Sequence, residues 1–197
     1  TLGEFDRKIK NGGMPGFFHL HDQEEYASAA RMWVETTCFR DLSKVLKKDF
    51  DGDLAYSILT ELVQVDVPTA GHVGGRLERD TRIVRRYLDA FCEILVLEKI
   101  LPHVVGVGQP HYVLVDSGLC KFLGASRASA LRSHVLIEAL SLFEAQGLHR
   151  PQLEYYRSEK KSYVPLVFHW RHEKKSVAVQ ISDREYPTLG ERKGLAS

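Results

Sequence analysis

Between Asp51 and Val115 the chain runs three helical patterns into a β-hairpin signal with almost no spacer. Leu54, Ile58, Leu59, Leu62 and Val63 recur at helical spacing. Pro68 and Thr69 open a second, short pattern through Val73 and Leu77. Asp80 is placed to cap a third helix, whose apolar face is Ile83, Val84, Tyr87, Leu88, Phe91, Ile94 and Leu95. Two β-rich runs, 97–105 and 111–115, follow on either side of Gly106-Val107-Gly108-Gln109-Pro110, a turn signal. Few arrangements satisfy helix, short helix, long helix and hairpin in that order.

That order is the order of a winged helix-turn-helix. The flanking thirds are read in the same way. Residues 1–22 hold a turn signal, Asn11-Gly12-Gly13-Met14-Pro15-Gly16, and then Phe17 and Phe18. From 23 to about 48, Tyr26, Ala29, Ala30, Trp33, Val34 and Thr37 predict a helix. After Asp116-Ser117-Gly118-Leu119 a long helix is expected over 126–146, stopped by Gly147. Strands are expected over 153–157, 163–171 and 176–182, with the helix packed on a mixed sheet. The expected class is α+β in three parts. These are an N-terminal helical segment over 1–50, a winged helix over 51–115, and a third domain over 116–197.

Composition narrows the function classes. The chain has 197 residues, 44% hydrophobic and 27% charged, an ordinary globular balance. No run approaches the roughly 18 apolar residues of a membrane span, so no membrane partner is expected. No signal peptide is visible, and the opening Thr1 is read as a natural start either lost or never included. Cys38, Cys92 and Cys120 are odd in number and sit in apolar surroundings, which fits reduced thiols and a cytoplasmic location. A net charge of +1 does not imply nucleic-acid binding; only a local patch does.

Residues 76–86 form such a patch, with five arginines against two acids. Arg82, Arg85, Arg86 and Asp89 fall at i, i+3, i+4 and i+7, opposite the apolar face of the third helix. A recognition helix presents such a face to phosphates and base edges, and the planar guanidinium binds both bidentately. The candidate nucleic-acid contacts are Arg76, Arg79, Thr81, Arg82, Arg85 and Arg86. The alternative is a solvated face of Arg–Glu pairs or a dock for a neighbouring domain. Lys44, Lys47 and Lys48, set among Asp41, Asp49 and Asp51, read as a mixed-charge surface. His19 with His21, and His169 with His172, are too few in each pair for a structural zinc site and read as surface or interface histidines. Ser117 lacks the glycine spacing of a nucleophile elbow, and Asp116 reads as a cap or turn.

A longer set of motifs runs through the chain. It includes Gly12-Gly13-Met14-Pro15, Arg40-Asp41, Thr81 with Arg86-Tyr87-Leu88, and Tyr112-Val113-Leu114-Val115-Asp116-Ser117-Gly118-Leu119. It continues through Glu138 and Glu144, then Tyr155-Tyr156-Arg157, then the strand pair at 163–182. This ordered set resembles the C-terminal domain that follows an AAA-type P-loop module in many bacterial and archaeal ATP-binding proteins, and it covers nearly the whole chain. The resemblance implies a winged helix joined to a PD-(D/E)XK nuclease-like fold. It leaves two expectations open: an upstream ATPase module as partner, or a stand-alone remnant.

Two departures bear on chemistry. Where that family keeps Glu-Val-Asp and Glu-X-Lys on adjacent strands, this chain has Tyr163-Val164-Pro165 and Gln180-Ile181-Ser182. Carboxylates are needed to hold Mg²⁺ and a Lys to orient water, so Pro165, Gln180 and Ser182 are degenerate positions. Glu138 matches the acid on the flanking helix and stands without its partners. No G-x-x-x-x-G-K-[ST] occurs, so P-loop ATP binding is not expected. The expected protein has no catalytic site, metal or cofactor, and binds DNA or a protein partner. Two alternatives are a structural oligomerisation module and a nuclease that uses displaced carboxylates such as Glu138, Asp183 and Glu185.

Overall fold

The computed structural model describes residues 2–182 apart from 18, 21, 49 and 159–161, with backbone alone for 2–5 and 7. It is a mixed α+β protein. The described helices are α1 (Leu2–Asn11), α2 (Gln23–Glu35), α3 (Leu42–Leu46), α4 (Gly52–Gln64), α5 (Ala70–Leu77), α6 (Thr81–Glu93), α7 (Ser117–Phe122) and α8 (Arg127–Ala145). The strands are β1 (Leu97–Pro102), β2 (His111–Leu114), β3 (Gln152–Arg157), β4 (Tyr163–Trp170) and β5 (Lys175–Val179). They form one sheet in the order β2-β1-β3-β4-β5. β1 pairs antiparallel with β2 and parallel with β3. One sheet therefore joins residues on both sides of the 115/116 boundary.

Local chemistry sets the helix starts. Asp22, Asp51, Thr69, Asp80, Asp116 and Ser126 each sit at an N-cap, and their side-chain oxygens accept from first-turn backbone N–H groups. Each such cap contributes about 1 kcal/mol. The helix expected over 23–48 is present as α2 and α3, linked by a π-helical turn at Thr36–Asp41. Between α5 and α6 the chain turns tightly. A Cβ on Gly74 would lie 2.9 Å from the Arg79 carbonyl oxygen.

Two cores result. The first gathers Val34, Cys38, Ile58, Leu59, Val84, Leu88 and Phe91 from the helices, with Leu97, Tyr112 and Leu114 from the hairpin. Tyr87 ties this core to the α4 entry, since its hydroxyl accepts from the Asp51 N–H at 2.8 Å. The second core lies between α8 and the sheet, where Leu136 and Leu140 meet Ile100, Val113, Leu153, Tyr155, Leu166, Phe168 and Trp170. Burial of each such side chain stabilises by about 1.5–3 kcal/mol.

Several expectations are corrected. Ile83 and Leu95, assigned to the buried face of α6, are exposed. Leu95 lies past the helix end with φ of 60°, outside the periodic pattern. β1 stops at Pro102 instead of running to Val105: its pairing with β2 ends at Ile100, Leu101 and Pro102 pair with β3, and the chain then turns, with Gly106 N donating to the His103 carbonyl at 2.7 Å. β5 stops at Val179 instead of Ser182. Leu166 pairs with Val179, so the next partner would be Pro165, which has no N–H to give. β3 bulges between Glu154 and Tyr156, across from the same proline.

Candidate functional site

The arginines of α6 are brought together as the periodicity requires. Arg82, Arg85 and Arg86 are all exposed, while Val84, Tyr87, Leu88 and Phe91 are buried behind them. With Val45 and Leu46 at the end of α3 they line a cleft of about 550 Å³. Asp89 and Glu93 also line it. Asp89 is already engaged, accepting from Lys99 Nζ at 2.8 Å and from the Tyr112 hydroxyl at 3.0 Å. Neither Arg82 nor Arg85 forms an ion pair among the described residues. Arg86 lies with its guanidinium 5.7 Å from the Tyr87 ring centroid.

The other candidates stand elsewhere. Arg76 Nε donates to Glu61 across the α4–α5 turn, an ion pair of the kind weighed as the alternative. Arg79 is exposed in the α5–α6 turn, and Thr81 is the half-buried first residue of α6. Neither lines the cleft. On the neighbouring surface Asp41 accepts from Arg40 and from Lys44, and these bonds hold its carboxyl down to about 2.

The nuclease-like positions split in the same way. The β4–β5 register would set Pro165 opposite Gln180, one step beyond the last pair. Pro165 is buried, and Gln180 and Ser182 are half-buried just past β5. Gln180 Oε1 is buried with no hydrogen-bond partner among the described residues. Glu138 is exposed on α8 and lines a separate cleft of about 240 Å³ with Gly13, Met14, Asp116 and Ser117. Pro165, Gln180 and Ser182 do not reach it. Asp183 and Glu185 lie outside the described residues, as does His21.

Two motifs more than 100 residues apart in sequence meet beside Glu138. Asp116 is buried and caps α7 by accepting from Leu119 N at 2.7 Å. Its other oxygen accepts from Gly13 N at 2.8 Å and Met14 N at 3.1 Å. The chain reaches it through Gly12, at φ of 68°, where a Cβ would lie 2.3 Å from both carboxylate oxygens. A side chain at that position is excluded on both counts.

A cluster that sequence reasoning missed lies on the sheet face away from α8. Leu153 and Tyr155 point into the second core, so Glu154 alternates to the other side. It is 3% exposed, and its Oε2 atom has no hydrogen-bond partner among the described residues. His103 Nε2, just past β1, lies 3.7 Å from that atom, and His169 Nδ1 on β4 lies 3.9 Å from it. Arg171 Nη2 is 3.8 Å from the other oxygen. His172, the expected companion of His169, is exposed and takes no part. The one visible signal was a lone acid inside an apolar strand pattern; its partners depend on strand register.

Other titratable groups are buried without such company. His111 stacks on Tyr155 with ring centroids 3.8 Å apart. Burial, then Arg132, Arg157 and His72, push its pKa down to about 3. Burial pushes the Cys38, Cys92 and Cys120 thiols up to about 12, so all three are poor nucleophiles at neutral pH. No helix among the described residues is long and apolar enough to cross a membrane. No protein-family model, curated protein or solved structure matches the chain.

Proposed function

We propose that the chain is a non-catalytic binding module that engages duplex DNA through α6. In this reading α4, α5, α6 and the β1–β2 hairpin are a winged helix with α6 as recognition helix. The β3–β5 strands with α8 are a nuclease-like scaffold that has lost its metal ligands at Pro165, Gln180 and Ser182. In the same reading the whole is the C-terminal region of an AAA-type ATPase-family protein, which only the motif resemblance supports. The observation that carries the proposal is the exposed triplet Arg82, Arg85 and Arg86 on one face of α6, two of them without ion-pair partners among the described residues. Such guanidinium groups supply phosphate contacts and, in the major groove, base contacts. Fluorescence anisotropy with a short labelled duplex tests it. Binding in the range of roughly 10⁻⁴–10⁻⁶ M is expected for a non-specific complex. Replacing all three arginines by Ala should weaken it at least about tenfold, and unchanged affinity rejects the proposal.

A second reading, a protein-docking or oligomerisation module, has one observation in its favour. The loop between β1 and β2 exposes Val104 and Val105, at 86% and 72%. An apolar loop tip favours a protein surface over a phosphate backbone. Sedimentation of the wild type and of Val104→Asp/Val105→Asp separates the readings. Only the second expects self-association that the double variant abolishes.

A further inference from the structure

We propose that His103, Glu154 and His169 form a binding site for a divalent transition metal, with Zn²⁺ as the ion the donor set suits best. The three residues come from separate elements: the turn after β1, the middle of β3 and the end of β4. Their ligand atoms all lie within 4.8 Å of one another. Two imidazoles and a carboxylate are a borderline donor set of the kind Zn²⁺ takes with an open fourth position, and the same set suits Fe²⁺ in a facial arrangement. Oxygen-rich sites for Mg²⁺ or Ca²⁺ look different, so those ions are not expected here.

The second, independent observation is Glu154 itself. A buried carboxylate oxygen without a hydrogen bond is costly unless something positive reaches it. The imidazole nitrogens stand 3.7 and 3.9 Å away, beyond hydrogen-bond length. Metal–ligand bonds of about 2.0–2.2 Å place donors roughly 3.4 Å apart around a tetrahedral ion. Small side-chain rotations therefore bring all three onto one ion. Arg171 at 3.8 Å approaches Oε1, which leaves Oε2 for the metal. Ser176 Oγ lies 3.3 Å from His169 Nδ1, and the Val105 N–H makes a long 3.4 Å contact with His103 Nδ1. Ligation through His103 Nε2 puts the proton on Nδ1, so this long contact gives way when metal binds. The ion would clip the hairpin loop to the strands that follow it.

The test is a Zn²⁺ titration of the EDTA-stripped chain by calorimetry, with Co²⁺ absorption as a second readout of geometry. The expected result is one equivalent per chain at micromolar or tighter affinity, with Co²⁺ bands of a four- or five-coordinate site. Glu154→Gln and His169→Asn should each weaken binding at least about tenfold, and His172→Ala should leave it unchanged. Circular dichroism melts in EDTA establish which variants fold, and His103→Asn replaces either one that does not. Absence of binding below millimolar Zn²⁺ overturns the proposal. So does binding that survives in every folded variant, which would mark it as adventitious capture by surface histidines.

Discussion

Asp116→Ala removes one carboxylate and orphans three backbone donors. Leu119 N loses its cap at the start of α7, and Gly13 N and Met14 N lose the acceptor that holds the 12–15 turn. A hydrogen bond to a charged group contributes about 1.5–3 kcal/mol net. The three share one carboxylate, so their effects do not add fully; a destabilisation of roughly 3–5 kcal/mol is expected. For a chain of this size that is a fall in Tm of roughly 10–15 °C. Asp116→Asn keeps one acceptor oxygen and turns an NH₂ group toward the other set, so about half the loss is expected. Urea and thermal unfolding followed by circular dichroism measure both variants. The Ala variant should also expose the 12–22 segment to limited proteolysis. A loss below about 1 kcal/mol in the Ala variant would refute the view that Asp116 joins the two motifs.

Three further outcomes are expected. The native His111 refuses a proton until about pH 3, whereas in the unfolded chain it takes one near 6.5. Stability is therefore full above that upper value and falls as pH drops through the window, by up to roughly 4–5 kcal/mol; His111→Phe should flatten this acid limb, and an unchanged limb counts against it. MgATP should give no low-micromolar binding signal in calorimetry, because no phosphate-cradling loop or its Lys is present in the sequence. Single- and double-stranded DNA and RNA should survive incubation with Mg²⁺ or Mn²⁺, since Pro165 and Ser182 offer neither carboxylate nor ammonium; cleavage abolished by EDTA and by Glu138→Ala contradicts this.

Much of the fold was legible because its signals are local. The cap at Asp80, the Gly147 stop after α8, the apolar spacing of α4 and α6, and the strand composition of β3 and β4 each act within a few residues. What escaped depends on pairing at long range. β5 ends early because its register meets Pro165 on the neighbouring strand. The π-helical turn at Thr36–Asp41 leaves no mark on a helical pattern. Arg76 was grouped with the α6 arginines by proximity in sequence, yet it turns back to Glu61 on α4. The Arg82, Arg85 and Arg86 face was readable because one helix carries all three. The His103–Glu154–His169 cluster was not, because β1 and β3 lie side by side only through a parallel pairing across some fifty residues.

The slope of log K against log salt for duplex DNA reads out whether α6 carries the phosphate contacts. Each phosphate contact contributes about −0.9 to that slope. If Arg82, Arg85 and Arg86 all reach phosphates, the triple Ala variant should have a slope shallower by about 2.7 than the wild type. Lys44→Ala, a lysine already bonded to Asp41, should change it little. A wild-type slope that the triple variant leaves intact would show that α6 does not carry the interaction.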